Sequence, residues 1–187
     1  MPTTIRRVRA DEAAVLRSVR LAALADAPAA FASRHADEAA LPAEEWERRA
    51  SQGSEGHERT TFLAVASDVD GGAGRAADGA VVGLVVGFRR DGDSAGVELV
   101  SMWTAPAVRR RGVARALVEA LVGWAAAGGA SEVGLWVMRG NDGARRLYER
   151  AGFAAIPVDP DEADADDACR DEIRMRQGVT SGVRPRM

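Results

Sequence analysis

The sequence predicts a mixed α/β fold in one domain, and three observations carry that prediction. The front half reads β, α, α, β, β with a further β run, whereas the back half reads β-α-β-α-β. The chain has 187 residues, 47% of them hydrophobic, enough for one core and short for two. An antiparallel front joined to a back half of crossovers gives a single mixed sheet, mostly antiparallel and flanked by helices.

Each element has its own signal. Residues 4–9 read as a short first strand. Asp11 is the expected cap of a helix in which Leu16, Val19 and Ala23 recur at helical spacing, ending near Pro28. After a loop containing Phe31, Pro42 opens a second helix through Trp46, because proline in the first turn loses no hydrogen bond. Residues 60–67 and 80–89 are β-rich and flank a Gly-Gly-Ala-Gly run at 71–74, read as a flexible connection. After a turn at 91–93 the sheet continues over 97–104. A helix over 113–127 sets Ala114, Leu117, Val118, Leu121 and Ala125 on one face, and Gly128-Gly129 ends it. Residues 131–137 are a strand, 143–151 a helix, and 153–156 and 172–177 the last two strands. The domain is expected to span residues 1–177, with 178–187 a loose tail.

Composition narrows the function classes. Net charge is -3 and every basic residue other than the two histidines is arginine, so no global basic field recruits nucleic acid. The absence of lysine and the heavy use of Ala, Gly, Val, Arg and Asp point to a GC-rich bacterial genome. A single cysteine, Cys169, excludes an internal disulfide and a multi-cysteine metal site. His35 and His57 lie in polar, loop-like sequence without a partner at ligand spacing, so no metal is expected. The start of the chain lacks the apolar core of a signal peptide, and no run approaches the ~18 apolar residues of a membrane span. These features predict a soluble, cytoplasmic protein.

One turn carries the strongest chemical signal. Arg109-Arg110-Arg111-Gly112 lies between a strand and the helix starting at Val113. The first N–H groups of a helix have no partner inside it, the helix dipole is positive there, and Gly112 lets a ligand approach the backbone. Such a turn suits a pyrophosphate. The P-loop pattern is excluded because there is no lysine, and no GxGxxG follows the first strand.

The segment Glu98-Leu-Val-Ser-Met-Trp-Thr-Ala-Pro-Ala-Val-Arg-Arg-Arg-Gly-Val-Ala resembles the central motif of the GNAT superfamily of N-acetyltransferases, Gln/Arg-x-x-Gly-x-Gly/Ala, with Arg109, Gly112 and Ala114 in the motif positions. Downstream, Asn141-Asp-Gly-Ala-Arg-Arg-Leu-Tyr-Glu-Arg-Ala-Gly-Phe is similar to a second family motif, N-x-x-A-x-x-x-Y-x-x-x-G-F. The resemblance implies an acetyl-CoA-dependent acyltransferase. It assigns the cofactor to Arg109, Arg110, Arg111, Gly112, Val113, Ala114 and Arg115, to Met102, Trp103 and Thr104 on a strand that splays from its neighbour, and to Asn141, whose plain role is a helix cap. Met102 and Thr104 are the candidates for main-chain contacts. Tyr148, the only tyrosine, would protonate the departing thiolate, its phenol having a pKa of about 10. Glu98, a lone acid in an apolar strand, is the candidate general base, unless it is an exposed surface glutamate.

The acceptor is expected to be a primary amine of a small molecule: an antibiotic, a polyamine or an amino-acid-like compound. Phe31 and Trp46 are its candidate contacts, and the acidic stretch 159–167, with six acids in nine positions, would attract a cationic acceptor or form a solvated loop. Alternatives are a protein or peptide N-acetyltransferase and a non-catalytic acyl-CoA sensor. Neither a nucleic acid nor a membrane is an expected partner, whereas a homodimer is possible, as in many family members.

Overall fold

The computed structural model describes residues 2–67, 72–90, 93–157 and 171–179. The acidic stretch 159–167, Cys169 and most of the expected tail lie outside these residues.

In chain order the elements are β1 (Thr3–Arg7), α1 (Ala13–Asp26), α2 (His35–Ala39), α3 (Ala43–Ser54), β2 (Arg59–Ala66), β3 (Gly74–Ala76), β4 (Gly79–Arg90), β5 (Asp93–Thr104), α4 (Val113–Ala127), β6 (Glu132–Met138), α5 (Asp142–Arg150), β7 (Ala154–Ala155) and β8 (Glu172–Gly178). One eight-stranded sheet forms, in the order β1-β2-β4-β5-β6-β8-β7, with β3 paired to β4. Every pairing is antiparallel except β5 with β6, which is parallel. The mixed α/β fold expected from the sequence is therefore the fold observed.

Helices cover both faces of the sheet, so central strands read as apolar runs without alternation. On one face Leu117, Val118 and Leu121 of α4 pack with Val85, Val97, Leu99, Val133 and Leu135. On the other, Val19 and Ala23 of α1 and Trp46 and Ala50 of α3 pack with Leu63, Val81 and Leu84. Leu117 and Leu121 are fully buried, each contributing roughly 1.5–3 kcal/mol by removal from water.

Three expectations are corrected. Asp11 does not cap α1: Glu12 holds the cap position, and its carboxylate is drawn instead to Arg6 at 2.7 and 2.8 Å and to the Arg9 N–H at 2.9 Å. The glycine-rich connection includes a short strand, β3, because Gly74 to Ala76 finds a partner edge on β4. The stretch read as a loop after α1 carries the helix α2, anchored by buried Glu38.

Candidate active site

The site lies where two neighbouring strands part. β5 and β6 pair only through Gly96, Val97 and Glu98 against Glu132, Val133 and Gly134. Beyond that point a cleft of about 720 Å³ opens between them, lined by Leu99 to Thr104 on one side and Trp136 to Met138 on the other.

A bulge shapes the β5 wall. Val86 pairs with Val100 and Leu84 with Trp103, so the single residue Val85 faces both Ser101 and Met102. Ser101 takes a left-handed φ of 56°, costly for a residue with a side chain, and Arg20 of α1 donates to its Oγ at 3.1 Å. Ala105 donates its N–H to Val82, so the alternation of an antiparallel ladder turns the Thr104 main chain away from β4, toward the cleft. The Thr104 N–H thus faces the cleft, while its carbonyl accepts from Arg109.

The Arg-rich turn closes one end of the cleft. Gly112 has a φ of 83° and precedes α4, and nothing lies within 4 Å of where a Cβ would sit. Ala116 is the first to donate to Gly112 O, which leaves the N–H groups of Val113, Ala114 and Arg115 without acceptors inside the helix. Arg109, Arg110, Gly112, Ala114 and Arg115 line the cleft. Arg111 and Val113 do not: they line a smaller hollow beside Thr3 and Ile5, and Val113 is buried in the core. The Arg109 guanidinium is engaged already, with Asp26 and with Thr104 O at 3.2 Å, so it ties α1 to the cleft wall. Trp103 reaches the wall while its indole is buried in the core and donates to Asp26 at 2.8 Å.

Helix α5 supplies the opposite side. Asn141 caps it, its Oδ1 accepting the Ala144 N–H at 3.1 Å, and also borders the cleft. Tyr148 lines the cleft with 6% of its surface exposed and packs edge-on against Phe153, the ring centroids 5.8 Å apart. Burial pushes the Tyr148 phenol well above its ordinary value, so it stays protonated at neutral pH.

Glu98 is corrected. It is neither an exposed glutamate nor a free carboxylate facing the cleft. It is buried, and Arg174 of β8 grips both its oxygens at 2.6 and 3.0 Å. Arg174 is buried too and lies 5.2 Å from the Trp136 ring. Its guanidinium crosses over Gly134, where a Cβ would come within 2.6 Å of it. Glu98 and Gly134 are the last registered pair before the strands separate, so this ion pair sits at the apex of the splay.

A second cavity of about 450 Å³ opens on the α1 and α3 side and shares Ala30, Val100, Ser101, Trp136 and Glu172 with the cleft. Phe31 lines it, with Arg20 stacked 4.7 Å from its ring. Trp46 does not: only 2% of it is exposed, within the core, and Arg49 lies over its ring. The cavity's charged lining is Arg20, Arg48, Arg49, Arg59, Glu38 and Glu172. Arg20 and Arg49 hold Glu38 at 2.7 and 2.9 Å. Burial by itself would raise the Glu38 carboxyl, but the bond from Arg20 and the charges of both arginines outweigh it and keep the group below its usual range. His35 and His57 are exposed, and the described residues include no cluster able to hold a metal ion.

Sequence reasoning missed Arg20, Glu38, Arg59, Ser101 and Glu172. A usable signal existed only for Arg20, a charge inside the apolar stripe of Leu16, Val19 and Ala23.

The fold, the parted strands and the helix-capped cleft define an acyltransferase. The Acetyltransferase (GNAT) family profile matches residues 29–153, and the chain belongs to that family, whose fold binds acetyl-CoA or CoA. Among solved structures it is similar to a GNAT acetyltransferase from Streptococcus pneumoniae, at 20% identity and a TM-score of 0.73, covering 95% of this chain and 99% of that one. It is also similar to the PaiA N-acetyltransferase from Thermoplasma acidophilum, solved in complex with coenzyme A, at 15% identity and a TM-score of 0.68, again covering 95% and 99%. The ribosomal-protein-S18-alanine N-acetyltransferase from Escherichia coli matches at 16% identity and a TM-score of 0.61, covering 100% and 99%. No curated protein sequence matches significantly. No helix among the described residues is long and apolar enough to cross a membrane.

Proposed function

We propose that this chain transfers an acetyl group from acetyl-CoA to a primary amine of a small molecule, by direct attack in a ternary complex. The observation that carries the reading is the meeting of the two cavities at the Ser101 bulge, so that a donor in one and an acceptor in the other converge on the same stretch of β5.

The cleft suits the donor. The free N–H groups at the start of α4 and the space over Gly112 accept a pyrophosphate. The unpaired β5 edge accepts the pantetheine arm as an added strand, through the main chain of Met102 and Thr104. Acetyl-CoA brings the thioester; the amine forms a C–N bond at its carbonyl and the C–S bond breaks.

The residues then divide the work. A main-chain N–H at the bulge stabilises the oxyanion. Tyr148, kept protonated by burial, gives its proton to the leaving sulfur. Arg174 holds both Glu98 oxygens, so we assign Glu98 to keeping the strands parted rather than to the role of base. The ammonium proton instead leaves through the shared mouth, past Glu172. Asn141 fixes the start of α5 and with it the position of Tyr148.

Initial rates of thiol release, with donor and amine varied together, test this. The expected pattern is release that requires amine and gives intersecting double-reciprocal lines. Parallel lines, or release indifferent to amine, would refute direct attack.

A further inference from the structure

The acceptor cavity is built for negative charge. Arg20, Arg48, Arg49 and Arg59 line it, and the first three have carboxylate or hydroxyl partners: Glu38 and Ser101 for Arg20, Glu45 for Arg48, and Glu38 and Glu45 for Arg49. Arg59 is different. It stands at the start of β2, half-buried, with no acceptor for its side chain among the described residues, and its Nε is buried without a partner. Burial, and then the charges of Arg49 and Arg48, press its pKa down. A desolvated cation beside other cations is costly unless an anion completes it.

From this we infer, resting on the transfer reading above, that the acceptor is an amino-acid-like amine whose carboxylate is bound by Arg59. Two carboxylates, Glu38 and Glu172, line the cavity with the four guanidinium groups, and Glu45 from outside the lining pairs with Arg48 and Arg49, so Arg59 is the one of the four arginines with no carboxylate partner among the described residues. A single carboxylate matches that charge and fits the guanidinium fork. Placement agrees. Thr61, Val86 and Val100 step across β2, β4 and β5 as registered partners and form the cavity floor between Arg59 and the bulge. The strand spacing makes that span about 10 Å, within which both ends of a small amino acid fit once the Arg59 side chain extends over the floor. The acid end rests at Arg59, and the amine end reaches Ser101 and the mouth shared with the donor cleft. Phe31, braced by Arg20, offers an apolar wall to the acceptor's side chain. A polyamine or a polycationic antibiotic would meet the same arginines as repulsion.

The test uses matched pairs: α- and ω-amino acids against their own carboxamides, with spermidine as the cationic extreme. Both thiol release and calorimetric binding to the CoA-saturated protein are measured. Wild type is expected to favour each acid over its amide by at least about tenfold. Arg59→Gln should bring that ratio to within about threefold, and Arg59→Lys, which keeps the charge and loses the fork, should fall between. A melting temperature of Arg59→Gln at or above wild type certifies the fold, since an unpaired buried charge has been removed. Wild-type preference for amides or spermidine, or an acid preference that survives Arg59→Gln, would overturn the inference. Arg59-dependent binding of acids without thiol release would uphold the anion site and defeat the transfer reading. Transfer to neutral amines without acid binding would do the reverse.

Discussion

The two cavities meet at Ser101 but are made of different material. The cleft proposed for the donor offers main chain, in a bulged strand edge, a helix start and a left-handed glycine, beside the side chains of Asn141 and Tyr148, with the nearby Arg109 side chain already engaged. The cavity proposed for the acceptor is dominated by side chains: arginines and glutamates, most of them set on α1, α2, α3 and β2, crossed by hydrogen bonds. A site made of backbone changes only when the fold changes, so it suits the constant partner. One made of side chains is reset by single substitutions, which suits a partner that varies.

Since the cleft is a property of the backbone, the largest loss should come from the apex where β5 and β6 part. Glu98→Gln leaves Arg174 charged, buried and unpaired, and should cost about 3–5 kcal/mol of unfolding free energy in denaturant titration. If the variant unfolds like wild type but loses its pH-dependent turnover, Glu98 is a base and the clamp is misassigned. Tyr148→Phe comes next: kcat should fall about 100-fold with the Michaelis constant for acetyl-CoA little changed. A fall confined to that Michaelis constant would make Tyr148 a packing residue.

Gly112→Val then places a β-branched residue at a φ of 83°, at a cost of about 1–3 kcal/mol, and should raise the Michaelis constant for acetyl-CoA about tenfold. The acceptor side contributes a smaller, pH-dependent effect. Glu38 is held below its ordinary range in the folded chain, so its contribution to stability is present above about pH 4.5 and is lost as pH falls through the depressed value. Glu38→Gln should therefore flatten the acid limb of a melting-temperature profile; an unchanged limb would mean that Glu38 gains nothing from its arginines. Smallest of all is Arg111→Ala. Its side chain faces the hollow beside Ile5, so the Michaelis constant for acetyl-CoA should move by less than about twofold, measured alongside Gly112→Val as the sensitive control.

The same contrast governs what could be read before the fold was known. α4 is found over the residues that its apolar stripe and closing glycines mark, and the turn before it was legible because glycine, arginines and a helix start adjoin in sequence. The spacing of Asn141 and Tyr148 set both on one helix, and both border the cleft. The pairing of Glu98 was not legible, because its partner, Arg174, comes 76 residues later and meets it only across the bare backbone of Gly134. Arg59 gave no local sign, since what distinguishes it is burial without a partner. The bulge at Ser101 left none either, because a left-handed φ there is imposed by pairing with β4 and held by Arg20.

Backbone amide shifts of ¹⁵N-labelled protein titrated with CoA test the division between the cavities most directly. The amides of Gly112 to Arg115 and of Met102 to Thr104 should shift most, while those of Glu38, Arg49 and Arg59 stay close to their free positions. Shifts concentrated on the second group, with the start of α4 unmoved, would contradict the assignment.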